Sequence, residues 1–155
     1  GHWEGDLVLG KNRESAIGTL VERTTRFLII VPLKKKDSTT VRKAFESEFR
    51  KLPDNLKLSL TYDNGTEMAQ HKTFTKNTKV KVYFAHPYSP WERPTNENTN
   101  GLIRDYFPKG TDFNLISKKQ LKEVQNQLNE RPRKTLEYES PLNTISRLYM
   151  NQNFI

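Results

Sequence analysis

The 155-residue chain has no cysteine. That excludes disulfides, thiolate metal sites and thiol nucleophiles, and it suits a reducing cytoplasm. Long apolar runs are missing too. No stretch approaches the ~20 residues needed to cross a bilayer, and nothing at the N-terminus reads as a signal peptide. Internal repeats, low-complexity tracts and internal linkers are absent, so the length is read as one domain with a real core. Apolar residues make up 34% of the chain and the mean hydropathy is −0.84, low values that still suit a polar α/β domain. Negative charge is in deficit: 18 acidic against 26 basic residues give a net charge of +8 and a pI near 9.7. This favours a polyanionic partner, of which nucleic acid is the commonest, over the plainer alternative of a merely soluble basic protein. The chain begins with Gly, so it is read as a fragment excised from a longer one.

Trp3 to Leu9 reads as a strand with Asp6 inside an otherwise apolar run. A carboxylate there needs a partner, a metal or a place at the sheet's edge. Ala16–Glu22 and Phe27–Leu33 read as two strands joined by a hairpin at Arg23–Arg26, the second continuously apolar as if buried on both faces. The run Lys34-Lys35-Lys36 could meet phosphates, although charge runs at element ends are usually just solvated. Asp37 or Ser38 caps a helix whose core face is Val41, Ala44, Phe45, Phe49 and Leu52, and Pro53 stops it. Leu58–Tyr62 is the fourth strand, with Asp63 at its C-terminal end, where open α/β sheets bind ligands. Thr66–Lys76 reads as a short helix with Asn64 and Glu67 as a capping box. Val80–Ala85 is the fifth strand, and Pro87, Pro90 and Pro94 make the next segment a loop in which Trp91 either stacks on a base or, the favoured reading, anchors the loop.

A helix then starts near Thr95. Glu97, Asn100, Gly101 and Arg104 share its polar side, opposite Leu102, Ile103 and Tyr106. Glu97 lies in the first turn, where the helix dipole favours its ionised form. Ser117 with Gln120 makes a capping box for a helix with the stripe Leu121, Val124 and Leu128. Ser140-Pro141 starts a last helix with Leu142, Ile145 and Leu148 or Tyr149 inward. The element order describes an α/β fold with a five-stranded sheet flanked by helices.

Three acids stand out: Asp6, Asp63 and Glu97. If the first and fourth strands are neighbours, Asp6 and Asp63 lie side by side, and the Glu97 helix can supply the third carboxylate. Such a set suits a hard cation. Two Mg²⁺ ions about 3.5–4 Å apart would serve an in-line phosphoryl transfer. Among 18 acidic residues, however, an Asp–Asp–Glu spacing arises easily by chance.

The surrounding strings are more specific. Gly-His-Trp-Glu-Gly-Asp-Leu-Val-Leu-Gly at 1–10, Leu-Thr-Tyr-Asp-Asn-Gly-Thr-Glu at 60–67, Ser-Pro-Trp-Glu-Arg-Pro-Thr-Asn-Glu-Asn-Thr-Asn-Gly-Leu-Ile-Arg at 89–104 and Asn-Glu-Arg-Pro-Arg-Lys-Thr-Leu at 129–136 span nearly the whole chain. Together they resemble the transposases of bacterial insertion sequences, closest to the insertion-sequence-thirty family of the retroviral-integrase-like superfamily. That resemblance implies a ribonuclease H-like fold with a mixed sheet, an integrase-type catalytic core over residues 1–155, and Asp6, Asp63 and Glu97 as a catalytic and metal-binding triad for Mg²⁺, with Mn²⁺ as a substitute. It places Arg104 near the DNA and puts Asn64 and Asn100 on the same path. It implies cutting of element-end DNA and joining to target DNA, a homo-oligomer (a dimer or larger) and a bacterial cytoplasmic, nucleoid-associated setting. The helix-turn-helix region of such proteins has no counterpart in this chain. The rival readings are a ribonuclease H-type nuclease and a non-catalytic DNA-binding or assembly module. Pro94 stands where the family usually has Gly, and His86 where an acidic residue is expected.

Overall fold

The computed structural model describes residues 1–63, 65–92 and 94–150. Five strands form one sheet: β1 (His2–Leu9), β2 (Ala16–Glu22), β3 (Leu28–Pro32), β4 (Ser59–Tyr62) and β5 (Lys81–Phe84), in the order β3-β2-β1-β4-β5. The first three form an antiparallel meander, while β1–β4 and β4–β5 pair in parallel. Parallel neighbours need crossovers. These are α1 (Ser38–Arg50) between β3 and β4, and a 3₁₀ turn (Thr66–Met68) with α2 (His71–Thr78) between β4 and β5. Then come α3 (Pro94–Tyr106), α4 (Lys118–Glu130), α5 (Pro141–Ile145) and a π-turn at Ser146–Met150.

Strand alternation divides the interior into two cores, one on each face of the sheet. On one face Trp3, Leu20, Leu60 and Tyr62 pack with Val41, Phe45 and Phe49 of α1 and Phe74 of α2. On the other, Val8, Val21, Leu28 and Ile30 meet Ile103 of α3 and Leu121, Val124 and Leu128 of α4. Each such buried side chain contributes ~1.5–3 kcal/mol. Gly18 is required by the first core, because a Cβ there would lie 2.6 Å from Phe45 Cε1.

The edge of β3 is closed by side chains rather than by another strand. Asn129 of α4 accepts from Leu28 N and donates to Leu28 O, both at 2.8 Å, and Gln125 Oε1 accepts from Ile30 N at 2.9 Å. A bare strand edge would be a template for aggregation. Asn129 therefore gives the 129–136 string a structural reason, as does Arg133, which is buried and donates to Leu128 O.

Asp37 caps α1 by accepting from Thr40 N, and Ser117 and Gln120 form the expected capping box on α4. Three local expectations are corrected. The expected helix at 66–76 is split into a Thr66–Met68 turn, preceded by Gly65 with no side-chain cap, and α2, which begins only at His71; Asn64, the expected cap, lies outside the described residues. The inner face of α5 is Pro141, Thr144 and Ile145; Leu142 is 39% exposed, because the five-residue helix is aimed by its proline start rather than by an apolar stripe. Trp91 is 70% exposed, so it does not anchor its loop by burial.

Candidate active site

The site is built on β1 and β4. Their parallel register runs His2↔Ser59, Trp3↔Leu60 and Glu4↔Thr61. Continued by two residues, it sets Asp63 level with Asp6. The ladder ends just before both acids, so they stand where β1 and β4 part. Asp6 is not at a sheet edge: β1 is the central strand, and Thr19 of β2 faces Asp6 on its other side. Its carboxylate is held instead by hydrogen bonds. Leu7 N donates to Oδ1 and Asn100 Nδ2 donates to Oδ2, both at 2.9 Å. Asp63 Oδ1 accepts from Gly65 N at 3.0 Å.

The turn after Asp63 brings in another acid. A Cβ on Gly65 would lie 2.7 Å from Asp63 Oδ1 and would collide with Glu67 Oε2. The backbone at Gly65 is thus flanked by both carboxylates, and a side chain there would have to push them aside.

The helix α3 lies across β1 and β2 and carries Glu97 in its first turn, exposed. Its seating differs from the simple apolar back read from the sequence. Only its C-terminal half is apolar on the inside, through Ile103 and the following Phe107. Its N-terminal half buries Thr95, Asn96 and Thr99. The reason is the strand surface beneath, which presents Glu4, Asp6 and Thr19. Glu4, fully buried, accepts from Asn96 N at 3.1 Å, and its other oxygen lies 3.3 Å from Arg23 Nε. Thr19 Oγ1 faces Asn96 Oδ1 and Asn100 Oδ1 at 3.3 and 3.4 Å. A carboxylate at a helix start also meets the positive end of the helix dipole.

Asn100 is therefore turned inward onto Asp6. Arg104 donates to Leu9 O at 2.8 Å and to Phe107 O at 3.4 Å, tying the far end of α3 to the end of β1. It still lines a cavity of about 440 Å³ together with Arg13 and Lys109. Asn64 lies outside the described residues. Among the described residues, no three His, Asp or Glu side chains stand close enough together to hold a metal ion. The donor chemistry of Asp6 and Asp63, two carboxylates at the ends of paired strand segments, is of the kind that suits a hard divalent cation.

The loop before α3 is fastened on itself. His86 Nδ1 lies 2.8 Å from Glu92 Oε1, and His86 N donates to Glu92 Oε2. The His86 side chain first, then its backbone N–H, hold the Glu92 carboxyl below its usual value. The histidine that replaces an expected acid thus has a carboxylate partner six residues later.

Residues 1–90 match the family described as Integrase core domain. The chain belongs to this family. Among curated proteins it is 54% identical to the transposase InsI for insertion sequence element IS30A of Escherichia coli K12, over 95% of this chain and 38% of that protein. It is 44% identical to the transposase for insertion sequence element IS1086 of Cupriavidus metallidurans, over 97% of this chain and 44% of that protein. The chain thus spans less than half the length of these relatives. Among solved structures, the catalytic core domain of BIV integrase superposes with a TM-score of 0.73 at 16% identity, over 97% of both chains. A chain of the simian T-cell lymphotropic virus intasome in complex with PP2A regulatory subunit B56 gamma superposes with a TM-score of 0.72 at 17% identity, over 92% of this chain and 52% of that one. At such identities these likenesses establish the fold, which is the ribonuclease H-like fold of retroviral integrase cores. No described helix of this integrase core is long and apolar enough to cross a membrane.

Sequence reasoning passed over Glu4, Asn96 and Thr19. Glu4 had a readable signal: it lies two residues from Asp6 on one strand, hence on the same face. Thr19 and Asn96 gave none, because only the tertiary register brings them to the same seam.

Proposed function

We propose that this integrase core cuts DNA strands and joins them to other DNA by divalent-metal-dependent in-line phosphoryl transfer at Asp6, Asp63 and Glu97. The observation that carries the reading is the parallel β1–β4 pairing, whose register, continued two residues past Glu4↔Thr61, leads to Asp6 and Asp63, with α3 bearing Glu97 in its first turn. The transposase relatives support it. Asp6, Asp63 and Glu97 would hold two Mg²⁺ ions, with Mn²⁺ able to replace them. When bound, such a pair activates a hydroxyl nucleophile and stabilises the departing oxygen.

The chain's own residues do the rest. Asn100 and Leu7 N orient Asp6, and Gly65 N orients Asp63. Glu4 tethers the turn that carries Glu97. Water attacks the scissile phosphorus and the bond to the 3′-oxygen breaks, freeing a 3′-hydroxyl. That hydroxyl then attacks a phosphodiester of target DNA, forming one phosphodiester as another breaks. No covalent protein–DNA intermediate forms. The partners are element-end and target DNA together with further copies of the chain, in a bacterial cytoplasm on the nucleoid. End recognition belongs to other parts of such proteins, so this domain binds DNA mainly through phosphates, with Asn64, Asn100 and Arg104 near the path.

The test is a calorimetric Mn²⁺ titration with a DNA duplex present, on the wild type and Asp63→Asn, paired with cleavage and strand-transfer assays. Loss of metal binding and of cleavage in the variant is expected. Unchanged binding and processing would overturn the reading in favour of a non-catalytic module. Cleavage of an RNA–DNA hybrid but not of element-end DNA would replace it with a ribonuclease H-type nuclease.

A further inference from the structure

The helices α3 and α4 cover β1, β2 and β3 on one face of the sheet, and β4 and β5 are left open on that face. The open part holds a cavity of about 620 Å³, walled by His2, Arg23, Lys57, Leu58, Ser59, Thr61, Lys79, Lys81 and Tyr83. No acid is among them. The residues fall into cross-strand rows: His2, Ser59 and Lys81 form one, and Glu4, Thr61 and Tyr83 the next. The row after that is Asp6 and Asp63. Rows two residues apart are ~6.6 Å apart along a strand. The Tyr83 row is therefore one step, and the Lys81 row two steps, from the level of the acids.

The charges of this shelf are not equally committed. Arg23 is engaged by Glu4, and Lys57 Nζ lies 3.4 Å from Asp54 Oδ1. No described carboxylate pairs with Lys79 or Lys81, and both are exposed. Tyr83 is 54% exposed, high for an aromatic residue in a strand.

From this we infer that the β4–β5 shelf is a binding site for the phosphodiester backbone of a DNA strand leading away from the acids, with Lys79 and Lys81 on its phosphates and Tyr83 stacking on a base. Charge complementarity argues for the occupant: a polyanion suits a wall of cations without acids, whereas a protein partner would meet an uncompensated positive surface. The distances agree. The Tyr83 and Lys81 rows lie ~6.6 and ~13 Å from the level of the acids, within reach of the nucleotides that follow the reacting phosphate. A strand with unstacked bases suits Tyr83 better than a duplex does, since stacking needs an open base face. Arg23 joins this shelf to the seating of α3, because it contacts both Glu4 and, at 3.5 Å, Glu92 O. The inference rests on the reading that the domain acts on DNA.

The test measures binding without any divalent ion, so it does not depend on the acids. Fluorescence anisotropy with a labelled oligothymidine and with a labelled duplex is followed across a salt series for four proteins. These are the wild type, Lys79→Gln/Lys81→Gln, Tyr83→Ala, and the control Lys34→Gln/Lys35→Gln at the exposed end of β3. Each lost phosphate contact lowers the salt slope by ~0.7 on single strands and ~0.9 on duplex. The shelf double variant is therefore expected to lose about 1.4 to 1.8 from the slope, with the control near the wild type. Tyr83→Ala is expected to weaken oligothymidine by about 5- to 150-fold and to leave the duplex nearly unchanged. Equal slopes in the shelf and control variants would overturn the shelf while leaving the DNA reading intact. Absence of wild-type DNA binding at low salt would overturn both.

Discussion

Glu4 offers the sharpest test of how the Glu97 helix is held. In Glu4→Ala the buried carboxylate disappears, the Asn96 N–H loses its acceptor, and Arg23 loses its partner. The Arg23 side chain is 43% exposed, so it returns to water and leaves no buried unpaired charge. What remains is an orphaned buried amide, costing about 1–3 kcal/mol, and a small void. The total of roughly 2–3 kcal/mol lowers the Tm of a domain of this size by about 5–10 °C. Glu4→Gln keeps an acceptor for Asn96 N, so its loss is expected to be less than half as large. Asn96 immediately precedes Glu97, so the alanine variant also displaces Glu97. A displacement near 1 Å costs about ten- to hundredfold in rate. The half-saturating Mg²⁺ concentration for DNA nicking should rise in Glu4→Ala and recover in Glu4→Gln, while metal-free DNA binding stays constant. A Tm that falls as expected with an unchanged Mg²⁺ requirement would refute the positioning role and leave Glu4 as packing.

Replacing Asn129 with Leu leaves Leu28 N and O unpaired inside the protein, a cost of about 2–5 kcal/mol by thermal or urea unfolding; a loss under about 1 kcal/mol would show that the β3 edge finds other partners. Gly18→Ala drives a methyl against Phe45 and should destabilise by about 1–3 kcal/mol; an unchanged melt would mean that the ring moves freely. The Glu92 carboxyl is held below its usual 4.5 by His86, so its contribution is complete above that value and is lost as pH falls through the lower folded value. Acrylamide quenching of exposed Trp91 should therefore increase on acidification below about pH 4.5, and Glu92→Gln should remove the step. Pro94 is the first residue of α3, where proline is preorganised, so Pro94→Gly should lower stability by about 0.4–1 kcal/mol, and a higher Tm would contradict this.

Much of the fold was legible because apolar periodicity carries it. The bounds of β2 match the expectation, and Leu28 to Val31 is buried as a continuously apolar strand should be. The phenylalanine stripe of α1 and the Ser117–Gln120 box of α4 follow local rules that a sequence displays directly. What was not legible depended on contacts across the chain. The polar seam under α3 appears as an amphipathic mismatch in sequence, because Asn96 and Thr99 look like surface residues until Glu4 and Thr19 are set beneath them. Arg104 looked free for a ligand, and only the tertiary structure shows it spanning to Leu9 O. The expected Thr66–Lys76 helix is instead split into a 3₁₀ turn and a helix from His71, a break that the sequence pattern does not display.

The three acids do not have equal mechanical support. Asp6 lies in β1 and Asp63 directly follows β4, its neighbour in the sheet, where Trp3, Leu60 and Tyr62 pack in the core. Glu97 belongs to a helix held at its far end by Ile103 and Phe107, in the apolar core, and at its near end by hydrogen bonds that it donates to strand carboxylates. An apolar anchor of that size contributes ~1.5–3 kcal/mol, whereas a hydrogen bond nets ~0.5–1.5 kcal/mol. The helix is thus pinned at its C-terminal half and more weakly tied at the turn bearing Glu97. Of the three carboxylates, Glu97 is the one held least by packing, and the hydrogen bonds of Asn96 N to Glu4 and of Asn100 to Asp6 are what tie its end of the helix to the sheet.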